Sequence, residues 1–546
     1  MAYYKPGVEV SYVQGTVSPN LTTPDLPAVI MGKAYKMHVV SPDGTFQDVY
    51  PIGQYANAPL AITLSGMTAA ANVDNTSIYV DAITLGGARK ILVSGNHFTA
   101  SNGVVTISGG LHTLLVSGIN TFQIGYREQR TDLGDALYTI NGFQDIESKI
   151  GKINVFNPVA FGANLAMGNA NTTILVYGLP SSDETTSYTS GIVSLALTTA
   201  PYIIAPLTYT TAIHTLLQTH CDSMSLPTNK GERIYTCSKQ IVWKTAARVT
   251  TTGSDSATMD KDATMTMIAE SAVANANRRA FWVYPDVMYV RANLHLSQMK
   301  QSYITSALGT YGLIAGEYVE LVTNVALHNS AGALIGTTLY AGTKITNAVW
   351  TQLQTDVESG SGLTYRFDVL VPVPGYYLAA CVAGQRCGQR PEQPLTNVPI
   401  SGPTRLKYSG DFFSETQLNV AANGGTYWMW QKNTEAPIAC RHQLSTDRSS
   451  VQKQEMSITS ALDYTGKFIR AGVEPYIGRY TISPTFLKML QMVVSAQGQY
   501  LVNQGYLNTF KLTSMIVSST SADTIECTIE VGVKFPVNYI RFTLIF

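Results

Sequence analysis

The stretch PYIIAPLTYTTAIHTLLQTHCDSMSLPTNKGERIYTCSKQ, residues 201–240, decides the fold. Tyr202 to Ala205 is an apolar run of strand length. Ile213, Leu216 and Leu217 then share one face of a helix ending near Asp222, and Arg233 to Cys237 returns to strand. The rhythm continues: Asp260 to Arg278 reads as a helix, and Ala280 to Tyr284 as a strand ended by Pro285. Strands alternating with helices predict a parallel sheet with right-handed crossovers. Toward the amino terminus, Ala28 to Gly32 reads as a buried strand of the same layer. Toward the carboxyl terminus, Tyr365 to Val371 reads as a strand and Tyr376 to Arg386 as a helix. The α/β layer is therefore split over residues 24–55, 196–294 and 362–396.

The intervening segments have another texture. Residues 56–195 carry turns such as Ser94-Gly95-Asn96, Ser101-Asn102-Gly103 and Ser108-Gly109-Gly110 between short apolar runs, which predicts a β-rich outer insertion. Residues 295–361 read as a second, hairpin-like insertion. Residues 397–533 read as an α+β unit. Its first helix buries Ile458, Ala461, Leu462 and Ile469 and presents Asp463, Lys467 and Arg470 to solvent, with Asp463 and Lys467 at i,i+4. Ser483-Pro484 caps and starts a second helix, whose Phe486, Leu487, Leu490, Val493, Val494 and Leu501 face inward until Gly505. Ile525, Cys527, Ile529, Val531 and Val533 then alternate with polar residues as a half-buried strand.

Both termini read as extended arms, residues 1–23 and 534–546. Val8, Val10 and Tyr12 alternate in the first, and Ile540, Phe542, Leu544 and Phe546 in the second. The fold class is thus α/β plus α+β, multidomain, with β-rich insertions and extended terminal arms.

Charge excludes several functions. Among 546 residues, Lys+Arg and Asp+Glu both number 36, and charged residues are 13% of the chain against about 25% in ordinary soluble domains. No net field would gather nucleic acid or anionic lipid. So weakly charged a surface suits a chain packed against other chains. No apolar run reaches the ~18 residues of a membrane span, and the start lacks the basic and apolar regions of a secretory signal. Cys221, Cys237, Cys381, Cys387, Cys440 and Cys527 have irregular spacings and make no disulfide framework.

Catalytic and metal signatures are weak. The Gly-Lys pairs at Gly32, Gly151 and Gly466 lack the earlier glycine of a phosphate loop, and no nucleophile elbow or zinc ribbon occurs. His214 and His220, six apart on a helix, point about 120° away from each other, so with Cys221 they do not close one metal site. Cys381 and Cys387 have the same problem as a redox pair. Tyr427, Trp428 and Trp430 lack the basic surround of a base-stacking platform, so core or interface is the reading. Asn20, Asn75 and Asn171 begin Asn-x-Ser/Thr triplets that matter only in a glycosylating secretory path. No cofactor is expected, and no enzyme activity.

Several segments, in order, resemble contractile tail sheath proteins of long-tailed bacteriophages and related injection machines. They are PGVEV at residues 6–10, LPAVIMGKA at 26–34, LAACVAGQRCGQRPEQPLTNVPISG at 378–402, RHQLSTD from Arg441, and the closing EVGVKFPVNYIRFTLIF. The resemblance covers about half of the chain and leaves both insertions without a counterpart. It implies a virion-tail subunit, made in the host bacterial cytoplasm. Such subunits form a homo-oligomer of stacked rings or a helical sheath around a tail tube protein, with baseplate and tail terminator proteins as further partners. Contraction drives the tube through the host cell envelope, with no direct nucleic-acid contact and no membrane insertion. It also implies that the inner carboxyl-terminal domain faces the tube, which makes Lys467 and Arg470 candidates for that contact. The rival readings are a β-rich virion adhesin and, further off, an α/β hydrolase with a triad assembled in space.

Overall fold

The computed structural model describes residues 25–38, 49–51, 60–64, 67–84, 89–107, 119–170, 172–181, 183–246, 258–299, 318–328, 333–359, 366–538, 540, 542 and 543. At its centre is an eight-stranded sheet. Its strands are β1 (Ala28–Lys33), β2 (Leu137–Ile140), β3 (Ile174–Leu179), β4 (Ile203–Pro206), β5 (Ile234–Ser238), β6 (Ala280–Tyr284) and, after a separate four-stranded sheet whose two long strands are β7 (Val287–His295) and β8 (Arg366–Pro374), β9 (Tyr427–Trp430) and β10 (Ala439–Cys440). The order is β2-β3-β1-β4-β5-β6-β9-β10. The six inner strands run parallel, and β2 and β10 close the two edges antiparallel.

Strand period divides the core in two. In β1, Ala28 and Ile30 point to one face, Val29 and Met31 to the other. The first face is covered by α1 (Pro158–Ala170) and, later in the chain, α6 (Tyr376–Gly388). The second is covered by α2 (Glu184–Ala196), α3 (Thr211–Met224), α4 (Lys261–Asn275) and α7 (Glu415–Asn423). α6 is buried on every side from Tyr376 to Arg386, and apolar but for Gln385 and Arg386, as suits a helix sandwiched between a sheet and other helices. Gly384 lets it approach α1 closely, since a Cβ there would lie 2.1 Å from the Ala166 carbonyl oxygen.

This topology corrects several sequence boundaries. Residues 137–195, assigned to the outer insertion, supply β2, β3, α1 and all but the last residue of α2 to the central layer. The signal was hidden because α1 is buried nearly all round and so shows no amphipathic period. Among the described residues of 24–55, only β1 belongs to the layer: strands Tyr35–His38 and Val49–Pro51 pair with Ile119–Gln129 in the insertion, which has its own apolar core. The strand read at Tyr365 to Val371 is also outside it. β8 (Arg366–Pro374) pairs antiparallel with β7 (Val287–His295) in a separate sheet, flanked by a helix, α5 (Asn347–Ser359). Conversely, β9, β10 and α7 attach residues 415–440 to the layer and not to the terminal unit.

The two outer units touch. Asp81, on strand Tyr79–Thr84, lies 3.0 Å from His295 Nε2 at the end of β7, both fully buried. The Ile91 amide donates to Glu358 on α5 at 2.8 Å.

Candidate assembly surfaces of the carboxyl-terminal unit

The terminal unit consists of α8 (Met456–Val473), α9 (Pro484–Asn503) and a hairpin of β11 (Thr509–Val517) and β12 (Ile525–Gly532). α9 starts as its sequence dictates: Pro484 occupies the first turn, and the Ser483 hydroxyl accepts from the Phe486 amide at 3.2 Å. Ile458, Tyr464 and Phe468 of α8 pack with Leu501 of α9 and with Leu507. Gly498 allows the hairpin to sit against α9, because a Cβ there would meet the Phe510 ring at 1.9 Å.

The opposite face of α8 is not solvated, which corrects the surface-helix expectation. Asp463 is buried against the central layer and is not paired with Lys467. It accepts from Arg279 Nη1 at 2.7 Å and Nη2 at 3.0 Å, and from the Tyr202 hydroxyl at 3.2 Å. Burial disfavours the Arg279 charge, but Asp463 outweighs it and holds the guanidinium above its ordinary pKa. Lys467 is half-buried over the Tyr202 ring, 5.3 Å from its centroid, and burial pushes its pKa down to about 8 despite Glu232 and Asp463. Arg470 donates to the Lys230 carbonyl at 3.0 Å and to both oxygens of Glu232. Burial alone would raise Glu232; the Arg470 bonds prevail and hold it below the usual carboxylate range. A sequence pattern cannot reveal such partners, which lie 184 to 261 residues away.

The hairpin is a two-stranded sheet, and among the described residues neither outer edge is paired. Two strands alone are marginal in water, and long open edges invite a third. One face is held by α9, with Met515 packed on Leu490 and Val494. On the other, Ile516 is exposed. Beside the hairpin lies an apolar groove of about 610 Å³ between Val473, Tyr476, Tyr480, Phe486 and Ile529.

Of the arm residues singled out by sequence, Val8, Val10, Tyr12, Leu544 and Phe546 lie outside the described residues. Ile540 and Phe542 are 70% and 84% exposed and join no strand. Upstream, Lys534, Pro536 and Asn538 are half-buried while Phe535 and Val537 are exposed, so this stretch lies on the body with one face out. Asn538 Nδ2 donates to Glu455 Oε1 at 2.6 Å; His442 Nε2 is 3.2 Å from the same oxygen, and Gln443 Nε2 donates to Oε2 at 3.0 Å. Sequence reading missed this cluster: His442, Gln443 and Asn538 lie in segments quoted for the resemblance, but nothing in those segments marks them as partners of Glu455.

The remaining chemical candidates resolve into core. His214 Nε2 is 3.0 Å from the Thr208 carbonyl, and burial, with help from Lys239, lowers its pKa to about 3. His220 is 2.8 Å from Arg233 Nη1, and burial and that charge lower it to about 4. Neither is near a metal-binding set, and no group of three or more His, Cys, Asp or Glu able to hold a metal occurs among the described residues. Cys381 is buried and Cys387 half-buried; burial raises both, the latter to about 11. Tyr427 and Trp428 are buried in β9, and Trp430 is at its end. Asn75 sits in a short 3₁₀ turn; Asn20 and Asn171 lie outside the described residues. No helix among the described residues is long and apolar enough to cross a membrane.

No family model matches the chain, and no curated protein does. Among solved structures it is similar to contractile sheath proteins. The helical sheath of the anti-feeding prophage in its contracted state aligns at 10% identity and TM-score 0.46, over 76% of this chain and 89% of that one. The sheath of an extracellular contractile injection system, also contracted, aligns at 10% identity and TM-score 0.45, over 75% and 86%. A sheath tail protein from Desulfitobacterium hafniense aligns at 10% identity and TM-score 0.38, over 94% and 97%.

Proposed function

We propose that the protein is the structural subunit of a contractile tail sheath, polymerising around a tail tube and contracting to drive the tube through a host envelope. The observation that carries this reading is the open hairpin β11–β12, followed in the chain by a tail whose Ile540 and Phe542 are left in solvent. Each edge of eight or nine residues directs about four N–H and four C=O groups outward. A strand added from another copy would form about four main-chain bonds, each stabilising by ~0.5–1.5 kcal/mol net, at every subunit. Links of this kind persist while the bodies they join rotate, and the two lattices differ in their larger interfaces. The residues that would add the strand are those of the arms, Val8, Val10 and Tyr12 at one end and Ile540, Phe542, Leu544 and Phe546 at the other.

The remaining terms follow from the resemblance: a virion tail assembled in the bacterial cytoplasm, with tube, baseplate and terminator as partners and no catalysis. For the tube contact, Lys467 and Arg470 are weaker candidates than their sequence suggested, since Glu232 engages Arg470 and burial holds Lys467. The test is negative-stain electron microscopy of the purified chain and of a chain lacking residues 1–23. The full chain should form rings or tubes and the shortened one folded monomers; tubes from both, or compact trimers from the full chain, would overturn the reading.

A further inference from the structure

We propose that Asn538 is the anchor from which the carboxyl-terminal arm is launched, its side chain clasped to the buried carboxylate of Glu455. The inference rests on the strand-exchange reading and specifies where the exchanged strand begins. Four observations meet here. Glu455 is buried at the amino end of α8, and both of its oxygens are engaged: Oε1 by His442 and Asn538, Oε2 by Gln443. The bond from Asn538 spans 83 residues and joins the tail to the body. Before it, the half-buried residues are the even ones, Lys534, Pro536 and Asn538, and the outward apolar pair is odd, Phe535 and Val537. After it, the unbroken apolar row is even, Ile540, Phe542, Leu544 and Phe546, with the mixed set Tyr539, Arg541, Thr543 and Ile545 between.

Parity matters because side chains of an extended chain alternate between faces. The apolar row changes face at residues 538–539, so 534–546 cannot serve as one continuous strand with one buried side. The first part is a docked strap, which also lines a small cleft of about 390 Å³ with Arg390, Gln393 and Pro394. The second part is the exchanged strand. Its eight residues reach about 26–29 Å when extended, against about 45 Å for all thirteen from residue 534, so the clasp limits which neighbour the arm can find. Holding the strap down also spares five residues from being ordered at the moment of assembly.

The anchor is a positioning residue, and its test separates it from the strand itself. Four proteins are compared: wild type, Asn538→Ala, Asn538→Ser, and a chain ending at Asn538. Brief trypsin digestion of unassembled protein reads the clasp at the Lys534–Phe535 bond. Wild type and the shortened chain should resist cleavage there, and Asn538→Ala should be cut at least about tenfold faster while its thermal midpoint stays unchanged. Light scattering reads assembly: the shortened chain should not polymerise, and Asn538→Ala should require about tenfold more protein to do so. Equal cleavage of Asn538→Ala and wild type, or equal assembly of the two, would overturn the anchor. Normal assembly of the shortened chain would instead overturn the carboxyl-terminal arm as the exchanged strand, whatever the protease shows. Asn538→Ser, which restores a short donor, should fall between the two on both readouts; if it behaves worse than Ala, the hydrogen bond is not what holds the strap.

Discussion

Replacing Asp463 by Ala should uncouple α8 from the central layer. The carboxylate takes two bonds from Arg279 and one from Tyr202, and the Arg279 and Asp463 side chains are only 7% and 3% exposed. Removing it leaves the buried guanidinium with the Arg233 carbonyl at 3.1 Å but no counter-ion, takes the carboxylate from the Tyr202 phenol, and loss of one partner of a buried ion pair costs about 3–5 kcal/mol. A chain of this size need not unfold in two states, so the readout should be local. At about 1.4 kcal/mol per factor of ten, native-state hydrogen exchange of the α8 amides should accelerate by about 100-fold or more, with α1 and α6 unchanged. The double variant Asp463→Leu with Arg279→Met removes both charges together and should recover most of the protection. Exchange of the single variant within about fivefold of wild type would refute the assignment of this pair as the joint between unit and layer.

Gly498→Ala places a methyl into the Phe510 ring and should destabilise the hairpin by about 1–3 kcal/mol, seen as faster exchange of the β11 amides and weaker assembly. Gly384→Ala drives α6 off the Ala166 carbonyl and should lower the melting temperature and soluble yield, because the neighbour is backbone and cannot rotate away. Lys467 titrates near 8 in the folded chain against an ordinary 10.5, so between those values the unfolded chain binds more protons and stability rises with pH. Denaturation midpoints measured from pH 7 to 10 should show that rise in wild type and a flatter profile in Lys467→Met.

The central layer was legible where strands and helices each show their own period, as from Tyr202 to Tyr284. The cap at Ser483 was legible because capping is local chemistry. What sequence concealed was burial on two sides. α1 offers no amphipathic stripe, so the segment around it passed for insertion. α8 carries Asp463 and Lys467 at a spacing that on a surface helix would be a solvated pair, yet Tyr202 and Arg279, folded over from the layer, turn that stripe into an interior polar joint. Glu455 and Asn538 were silent for the same reason: a single carboxylate and a single amide acquire meaning only when 83 residues of fold bring them together.

A reconstruction of the assembled protein by electron cryomicroscopy, resolved well enough to trace β11 and β12, tests the account most directly. It predicts an ordered polymer in which the hairpin is no longer two-stranded: at least one edge is hydrogen-bonded to an arm of another copy, with Asn538 of the donor still on its own Glu455. A polymer in which both hairpin edges remain in solvent while the arms pack elsewhere would contradict it.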